Sequence, residues 1–253
     1  MLVAERYQKI VDLVNQRGSV RVAELSRLFN VTEETIRRDL DRLESEGKLR
    51  RSHGGAVRVG EDPQELPFAE REITNAEQKQ KIAREAVKLI QPGDRILLDA
   101  STTAWYTAAI LPDIRLTVLT NSIKVALELA GKERVEVITT GGSLHRKSLA
   151  YIGPLAERSL DAFHVDKAFL SCKAVHLKRG MSDSNELHAS LKSKMMQIAG
   201  QVVLLVDSSK FGAEAFAGFG RLEQAHTVIT DSGIRPEHLR ELRNKVRDVV
   251  VVD

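Results

Sequence analysis

The chain has 253 residues, 42% hydrophobic and only 4% aromatic, with 38 Lys and Arg against 35 Asp and Glu. That apolar content supports a proper core and excludes wholesale disorder, while so few rings argue against a base-stacking, RNA-type surface. One cysteine, Cys172, rules out an internal disulfide; with no secretory leader pattern and no apolar run longer than Val202–Val206, the expectation is a soluble cytoplasmic protein without membrane contact.

The net charge of +3 is unevenly placed. Residues 1–58 hold 12 Lys and Arg against 9 Asp and Glu, so the whole excess lies in the first quarter. Within it, Gly47 to Arg58 carries Lys48, Arg50, Arg51 and Arg58 and no acid. Such a patch suits DNA contact; it equally suits a solvated charged face.

In chain order, Val3, Tyr7, Ile10, Val11 and Val14 recur at helical spacing and predict an amphipathic first helix ended by Gly18. A short second helix follows over Ala23–Phe29. Asn30-Val31 reads as a tight turn, and Thr32 as the N-cap of a third helix. Glu33 and Glu34 sit in its first turn, where carboxylates interact well with the helix dipole. Ile36, Leu40 and Leu43 form its buried stripe. Gly47 stops it, and Lys48–Val57 reads as a hairpin turning at Gly54-Gly55. Helix, short helix, turn, helix, basic hairpin is the outline of a winged helix-turn-helix.

The third helix leaves Thr35, Arg37, Arg38, Asp41 and Arg42 off the apolar stripe, with Thr35, Arg38 and Arg42 on one face. In such a motif the second helix of the pair enters the major groove. Arginines there reach guanine edges or phosphates, with about 1–3 kcal/mol of discrimination per good bidentate base contact. Arg50, Arg51 and His53 on the hairpin can hold phosphates or enter the minor groove. The bland alternative is a helical bundle used for protein contacts.

Residues 59–75 contain Pro63 and Pro67 and read as a linker between a first domain, 1–58, and a second, 76–253. The second alternates strand-like and helical runs, which predicts a mainly parallel α/β sheet. Its strands Arg95–Leu98, Leu116–Leu119, Val135–Ile138 and Val202–Val206 each end in a polar or glycine-bearing loop. Ligands of open α/β sheets bind beyond the strand C-termini. Ser101, Thr102 and Thr103 can offer hydroxyls and backbone N–H groups to a phosphate. Gly141 and Gly142 permit close approach. Lys210 can neutralise a phosphate, and Asp99, Asn121 and Asp207 can accept sugar hydroxyls. Ordinary capping and turn chemistry explains any one of these loops; their convergence points to a ligand site.

Specific strings carry a resemblance. Glu5-Arg6, Val20-Arg-Val-Ala-Glu-Leu25, Val31-Thr-Glu-Glu-Thr-Ile-Arg-Arg-Asp-Leu40 and His53-Gly-Gly-Ala56 closely resemble the N-terminal domain of DeoR-type repressors of sugar metabolism. The likeness continues through Leu98-Asp-Ala-Ser-Thr-Thr-Ala104, Leu116-Thr-Val-Leu-Thr-Asn-Ser122, Gly141-Gly142, Asp166-Lys-Ala-Phe169 and Leu205-Val-Asp-Ser-Ser-Lys-Phe211, nearly the whole chain. It implies a repressor of a carbohydrate catabolic operon, released from DNA by a sugar phosphate. It also implies a sensor fold related to ribose-phosphate isomerases and coenzyme A transferases, with Lys192 matching a family lysine. Two positions depart from the pattern. Ser101 stands where the family has Gly before the Thr-Thr pair, adding a hydroxyl and restricting φ. His188 stands where the family places Glu four residues before Lys192, with Glu186 two residues earlier. That gives the segment 180–194 its own effector preference, although a surface-helix histidine is the simpler reading of His188.

The rival class is a sugar-phosphate isomerase-like enzyme, with Asp99, Asp183, Glu186 and Asp207 as acid and base candidates. A DNA module has no purpose in a simple isomerase, so a non-enzyme is expected. Asp183, Ser184 and Asn185 fit a turn or a lid equally well. Seven scattered histidines, without CxxC or HExxH spacing, give no metal site; no Walker lysine or GxGxxG suggests a cofactor. Cys172 follows a strand-like run and reads as packed rather than nucleophilic. The expected partners are double-stranded operator DNA, a small phosphorylated sugar and further copies of the chain, as a dimer or tetramer.

Overall fold

A computed structural model describes residues 3–17, 19–52, 54–58 and 66–253. The chain divides into two compact units, with the boundary between Glu65 and Leu66.

In the first unit the order is α1 (Val3–Arg17), β1 (Ser19–Arg21), α2 (Val22–Phe29), α3 (Glu33–Ser45), β2 (Leu49–Ser52) and β3 (Gly55–Arg58). The turn between α2 and α3 is set by Asn30, which takes the left-handed conformation that asparagine tolerates. Thr32 then caps α3, its hydroxyl accepting the Thr35 N–H at 3.2 Å. Ile10, Val14, Leu25, Ile36, Leu40, Leu43 and Leu49 close the core. Inside it, the Arg6 guanidinium forks onto Asp39 at 2.6 and 3.1 Å, both residues buried. β1 is a strand the hydrophobic pattern does not announce. It lies on β3 with Arg21 opposite Gly55, and a Cβ at Gly55 would fall 2.0 Å from the Val20 carbonyl oxygen. That close approach demands glycine.

The second unit begins within the stretch expected to be a linker. Residues 68–73 form α4 (Phe68–Ile73), started by Pro67, where a missing N–H costs nothing. Phe68 is buried edge-on against Trp105, and its N–H donates to the Lys147 carbonyl at 2.7 Å. Residues 66–75 are therefore part of the second unit, not a spacer. Residues 59–65 lie outside the described residues.

Next come α5 (Ala76–Lys88), β4 (Arg95–Leu98), α6 (Thr102–Ala109), β5 (Leu116–Thr120), α7 (Ile123–Leu129) and β6 (Val135–Thr139). A hairpin, β7 (Ser143–His145) and β8 (Ala150–Ile152), leads to α8 (Pro154–Leu160) and β9 (Val165–Leu170). There follow β10 (Ala174–His176), β11 (Gly180–Asp183), α9 (Glu186–Gln197), β12 (Ala199–Leu205), β13 (Ala217–Gly220), β14 (Thr227–Asp231), α10 (Pro236–Arg243) and β15 (Asp248–Val252). Seven strands pair in parallel in the order β15-β14-β12-β9-β4-β5-β6. Both faces are covered: Ile96 and Leu98 of β4 point into one apolar layer and Leu97 into the other. That explains why these strands read as continuous apolar runs. A small antiparallel sheet, β10-β11-β13, stands apart from the parallel one.

The chain lays β5 and β6 on one side of β4 and returns to lay β9 on the other. The winding thus reverses between β4 and β9, and the crevice beyond their C-terminal ends is where such sheets receive ligands.

Candidate functional site

Two sets of residues emerge, one in each unit. In the first, α3 presents Thr35, Arg38 and Arg42 along one solvent-facing side, with Arg37 beside them. Every arginine is engaged by an acid: Arg37 with Glu33 at 2.8 Å and Glu34 at 3.8 Å, Arg38 with Glu34 at 3.4 Å, Arg42 with Glu46 at 2.8 Å. Arg38 is the most open, its side chain 79% exposed. These exposed pairs, screened by solvent, contribute little stability. Arg51 on β2 is held more firmly. Its N–H donates to Glu44 at 2.6 Å, and its guanidinium pairs with Asp41 at 3.1 Å, bracing the hairpin against α3. Arg50 pairs with Val57 in the β2–β3 ladder. His53 falls outside the described residues.

In the second unit, the strand ends bring polar groups to the β4–β9 crossover. Asp99, fully buried after β4, accepts the N–H of Ser101 at 3.0 Å and that of Ser171, just after β9, at 2.9 Å. One carboxylate thereby ties the two strand ends together. Lys192, reaching in from α9, lies 3.3 Å from Asp99 and donates to Asp183 at 2.6 Å and to the Ser171 carbonyl at 2.7 Å. Burial alone would lower its pKa; Asp183 and Asp99 outweigh that and hold it well above the ordinary lysine value. Its ammonium is thus permanently charged and already has three acceptors.

Lys210 donates to the Ser171 hydroxyl at 3.0 Å and lies 3.9 Å from Asp207. Asp207 caps the short turn Ser208–Lys210 and accepts the side-chain amide of Asn75 at 3.1 Å. Burial pushes this carboxyl up, but Lys210, Ser209, Lys79 and Asn75 together hold it below its usual range. Lys79 closes the network from α5, donating to the Thr74 carbonyl at 2.6 Å and to the Arg71 carbonyl. Burial, helped by the charge of Lys210, brings its pKa down to about 8.

Ser101 resolves one departure from the family pattern. It adopts φ −79°, an ordinary conformation, and caps α6 by accepting the Ala104 N–H at 3.1 Å. Serine therefore suits the start of α6 without strain, and Thr102 and Thr103 occupy its first turn. The Thr103 hydroxyl and the Asn121 side-chain carbonyl are buried polar atoms with no hydrogen-bond partner among the described residues. Asn121, at the end of β5, is fixed by donating to the Tyr151 carbonyl at 3.0 Å. Gly141 and Gly142 follow β6 at φ 63° and 115°. A Cβ on Gly142 would meet the Ile152 carbonyl oxygen at 2.9 Å, so close hairpin packing already accounts for that glycine. Asp99, Lys192, Asp207 and Lys210 thus form one bonded network; Asn121, Gly141 and Gly142 stand farther along the sheet and are not bonded to it among the described residues.

His188 is not a surface histidine. It is 4% exposed, and its Nε2 lies 3.1 Å from the Ser148 hydroxyl, which also meets His145 Nδ1 at 2.7 Å. Its place one turn before Lys192 points it inward with that lysine. Three participants escaped the sequence reading. Ser171 had a usable signal, being the first polar residue after an apolar run; Asn75 and Lys79 had none, because their partners lie more than a hundred residues away or on backbone carbonyls. Cys172 is buried, and desolvation pushes its thiol up to about 12, leaving it packed and inert. No group of three metal-ligating side chains occurs among the described residues.

A winged helix-turn-helix followed by a parallel α/β unit with a polar network at its winding reversal is the arrangement of a transcription regulator with a sensor domain. The DeoR-like helix-turn-helix domain matches residues 6–61 and the DeoR C-terminal sensor domain residues 74–232. The chain belongs to the DeoR family of transcriptional regulators. It is 56% identical over 252 residues to the uncharacterized HTH-type transcriptional regulator YulB of Bacillus subtilis, covering 100% of this chain and 98% of that one. It is 39% identical to the L-fucose operon activator of Escherichia coli K12 over 90% of this chain and 95% of the relative. With a putative aga operon transcriptional repressor of Escherichia coli O157:H7 it shares 36% identity over 98% and 94%. Among solved structures, ribose 5-phosphate isomerase A from Methanocaldococcus jannaschii aligns over 54% of this chain and 55% of its own at 23% identity, with a TM-score of 0.41.

Proposed function

We propose that the chain represses a carbohydrate catabolic operon by binding operator DNA through α3 and the β2–β3 wing, and that a phosphorylated sugar in the β4–β9 crevice releases it. The observation that carries the sensor half is a pair of buried side-chain oxygens without a hydrogen-bond partner among the described residues, Thr103 Oγ1 in the first turn of α6 and Asn121 Oδ1 just after β5. Buried polar atoms are rarely left unbonded in a finished site, and hydroxyls of a sugar are suited to both. The N–H groups of Thr102 and Thr103 face a phosphate favourably, with Lys210 as its counter-charge. Asp99 and Lys192 have their bonds committed, so their part is to hold Ser101 and Ser171 in place; the remaining lone pairs of Asp207 take sugar hydroxyls. His188 replaces the acid of the resemblance and sets the preference among effectors.

On the DNA side, Thr35, Arg38 and Arg42 read bases, while Arg37, Arg50, Arg51 and His53 hold phosphates. The effector must bind the DNA-incompetent state more tightly, since equal affinity for both shifts nothing. The regulator works in the cytoplasm as a homo-oligomer and does not turn its effector over; no helix among the described residues is long and apolar enough to cross a membrane. The name of one relative, an operon activator, favours a second reading in which the same parts activate.

Fluorescence anisotropy on DNA from its own operon, titrated with a panel of sugar phosphates, tests the reading. Arg38→Ala should weaken DNA binding and spare the effector, and Lys210→Ala should do the reverse. Failure of every sugar phosphate to release specific DNA would remove the crevice reading, and their turnover would restore the isomerase. Transcription in vitro separates repression from activation.

A further inference from the structure

The parallel sheet has two edges, and the sequence treats them differently. At one edge, β6 carries an exposed acid, Glu136, whose carboxylate accepts the Thr117 hydroxyl at 3.1 Å. A charge inside an edge strand discourages a further strand from pairing there. At the other edge, β15 reads Asp-Val-Val-Val-Val, with each valine partly exposed. It has no proline or lysine, and its five residues pair with β14 without a bulge. Its one charge, Asp248, stands at the first residue of the strand, and the four valines after it carry none of the usual protections of an edge.

The direction of its backbone groups follows from the ladder. Asp248 donates its N–H to the His226 carbonyl at 3.1 Å, and the Val252 carbonyl accepts from Ser232 at 2.9 Å. In a parallel pair alternate residues turn both groups to the same neighbour, so 248, 250 and 252 face β14. The N–H and C=O groups of Val249 and Val251 point outward from the sheet.

We propose that β15 pairs antiparallel with the β15 of a second copy of this chain, across a two-fold axis through Val250. In that register Val249 lies opposite the partner's Val251, and the outward groups of both form hydrogen-bonded pairs. The same register sets Arg247 opposite the partner's Asp253. The Arg247 side chain is 83% exposed, its one ion pair among the described residues being the distant one with Asp248 at 3.8 Å, and Asp253 is exposed. Opposite charges facing across antiparallel strands favour pairing. Centring the axis on Val251 keeps the backbone pairing but sets Asp253 against Val249; centring it on Val249 sets Arg247 against Val251 and Asp253 against Lys245, which Glu223 already holds at 2.7 Å. The charges therefore select the register, and the two-fold gives a closed, self-complementary interface. The two seven-stranded sheets become one continuous sheet.

Sedimentation velocity of the full chain tests this, independently of whether the protein binds DNA. One strand pair is a small interface, so association at roughly micromolar concentrations is expected. Val251→Pro removes an outward N–H that β14 does not use, and should halve the sedimenting mass while the unfolding followed by Trp105 fluorescence stays cooperative. Arg247→Asp and Asp253→Arg should each weaken association about tenfold, and the double variant should restore it. A wild-type chain that sediments as a single copy at tens of micromolar overturns the proposal. So does an unchanged mass for Val251→Pro, or a charge swap that fails to rescue. Should Val251→Pro not fold, the charge-swap series decides alone.

Discussion

Replacing Asp99 by alanine tests whether one carboxylate holds the crossover together. Its two oxygens serve the N–H groups of Ser101 and Ser171 and lie 3.3 Å from the Lys192 ammonium, all in full burial. Alanine leaves two buried N–H groups unpaired, at about 1–3 kcal/mol each. It also removes one of two acids from a buried lysine. Losing the partner of a buried charge costs about 3–5 kcal/mol, but Lys192 keeps Asp183 and the Ser171 carbonyl, so the terms overlap. The expected loss is about 3–5 kcal/mol, or roughly 6–20 °C in Tm for a unit of this size. Trp105 is the sole tryptophan and lies on α6, so urea unfolding followed by its fluorescence reports this unit without interference from the other. A loss below about 1 kcal/mol would show that the carboxylate does not bridge the strands and would undo the geometry drawn for the crevice.

The same logic in the first unit makes Asp39→Ala costly by about 3–5 kcal/mol, because Arg6 would be left buried and unpaired; amide exchange across α1 and α3 should speed accordingly, and unchanged protection would contradict it. Lys79 titrates near 8 in the folded chain against its ordinary 10.5. The unfolded chain therefore holds an extra proton between those values, and stability rises with pH across that window, while below pH 8 the buried charge costs the same throughout. Lys79→Met should flatten that rise relative to wild type in urea titrations; an identical pH profile would reject it. Cys172 should ignore a thiol reagent at pH 8 in the native chain and react once urea is added, since its thiol stays protonated to about 12; native reaction within minutes would refute its burial.

The first unit was largely legible because its signals are local. Thr32 caps within three residues, Asn30 turns within one, and Ile36, Leu40 and Leu43 mark their own face. β1 escaped, since three residues carry no period and its reason for being a strand is Gly55, more than thirty residues on. The parallel strands announced themselves by unbroken apolar runs, yet α4 hid among prolines and charges because Phe68 is its one buried side chain. In the crevice, loops at strand ends could be listed from sequence, but not which carboxylate faces which amine. Asp99 and Lys192 meet only through the β4–β9 crossover, and His188 turns inward because Ser148, forty residues earlier, receives it. Such pairings are properties of topology, which residue order does not print locally.

In the proposed complex the arginines of α3 meet DNA already accompanied. Glu33, Glu34 and Glu46 act as resident counterions, occupying the places that solvent anions would otherwise take around Arg37, Arg38 and Arg42. Binding gains entropy when cations leave the duplex, by nearly one ion per phosphate neutralised. Each arginine that swaps its glutamate for a phosphate frees a carboxylate that gathers a cation back and repels the backbone beside it. The ionic gain on an arbitrary sequence is thereby blunted, and the salt dependence falls below what a count of arginines would give. Base-edge bonds, which only the correct operator supplies, then decide where the protein stays.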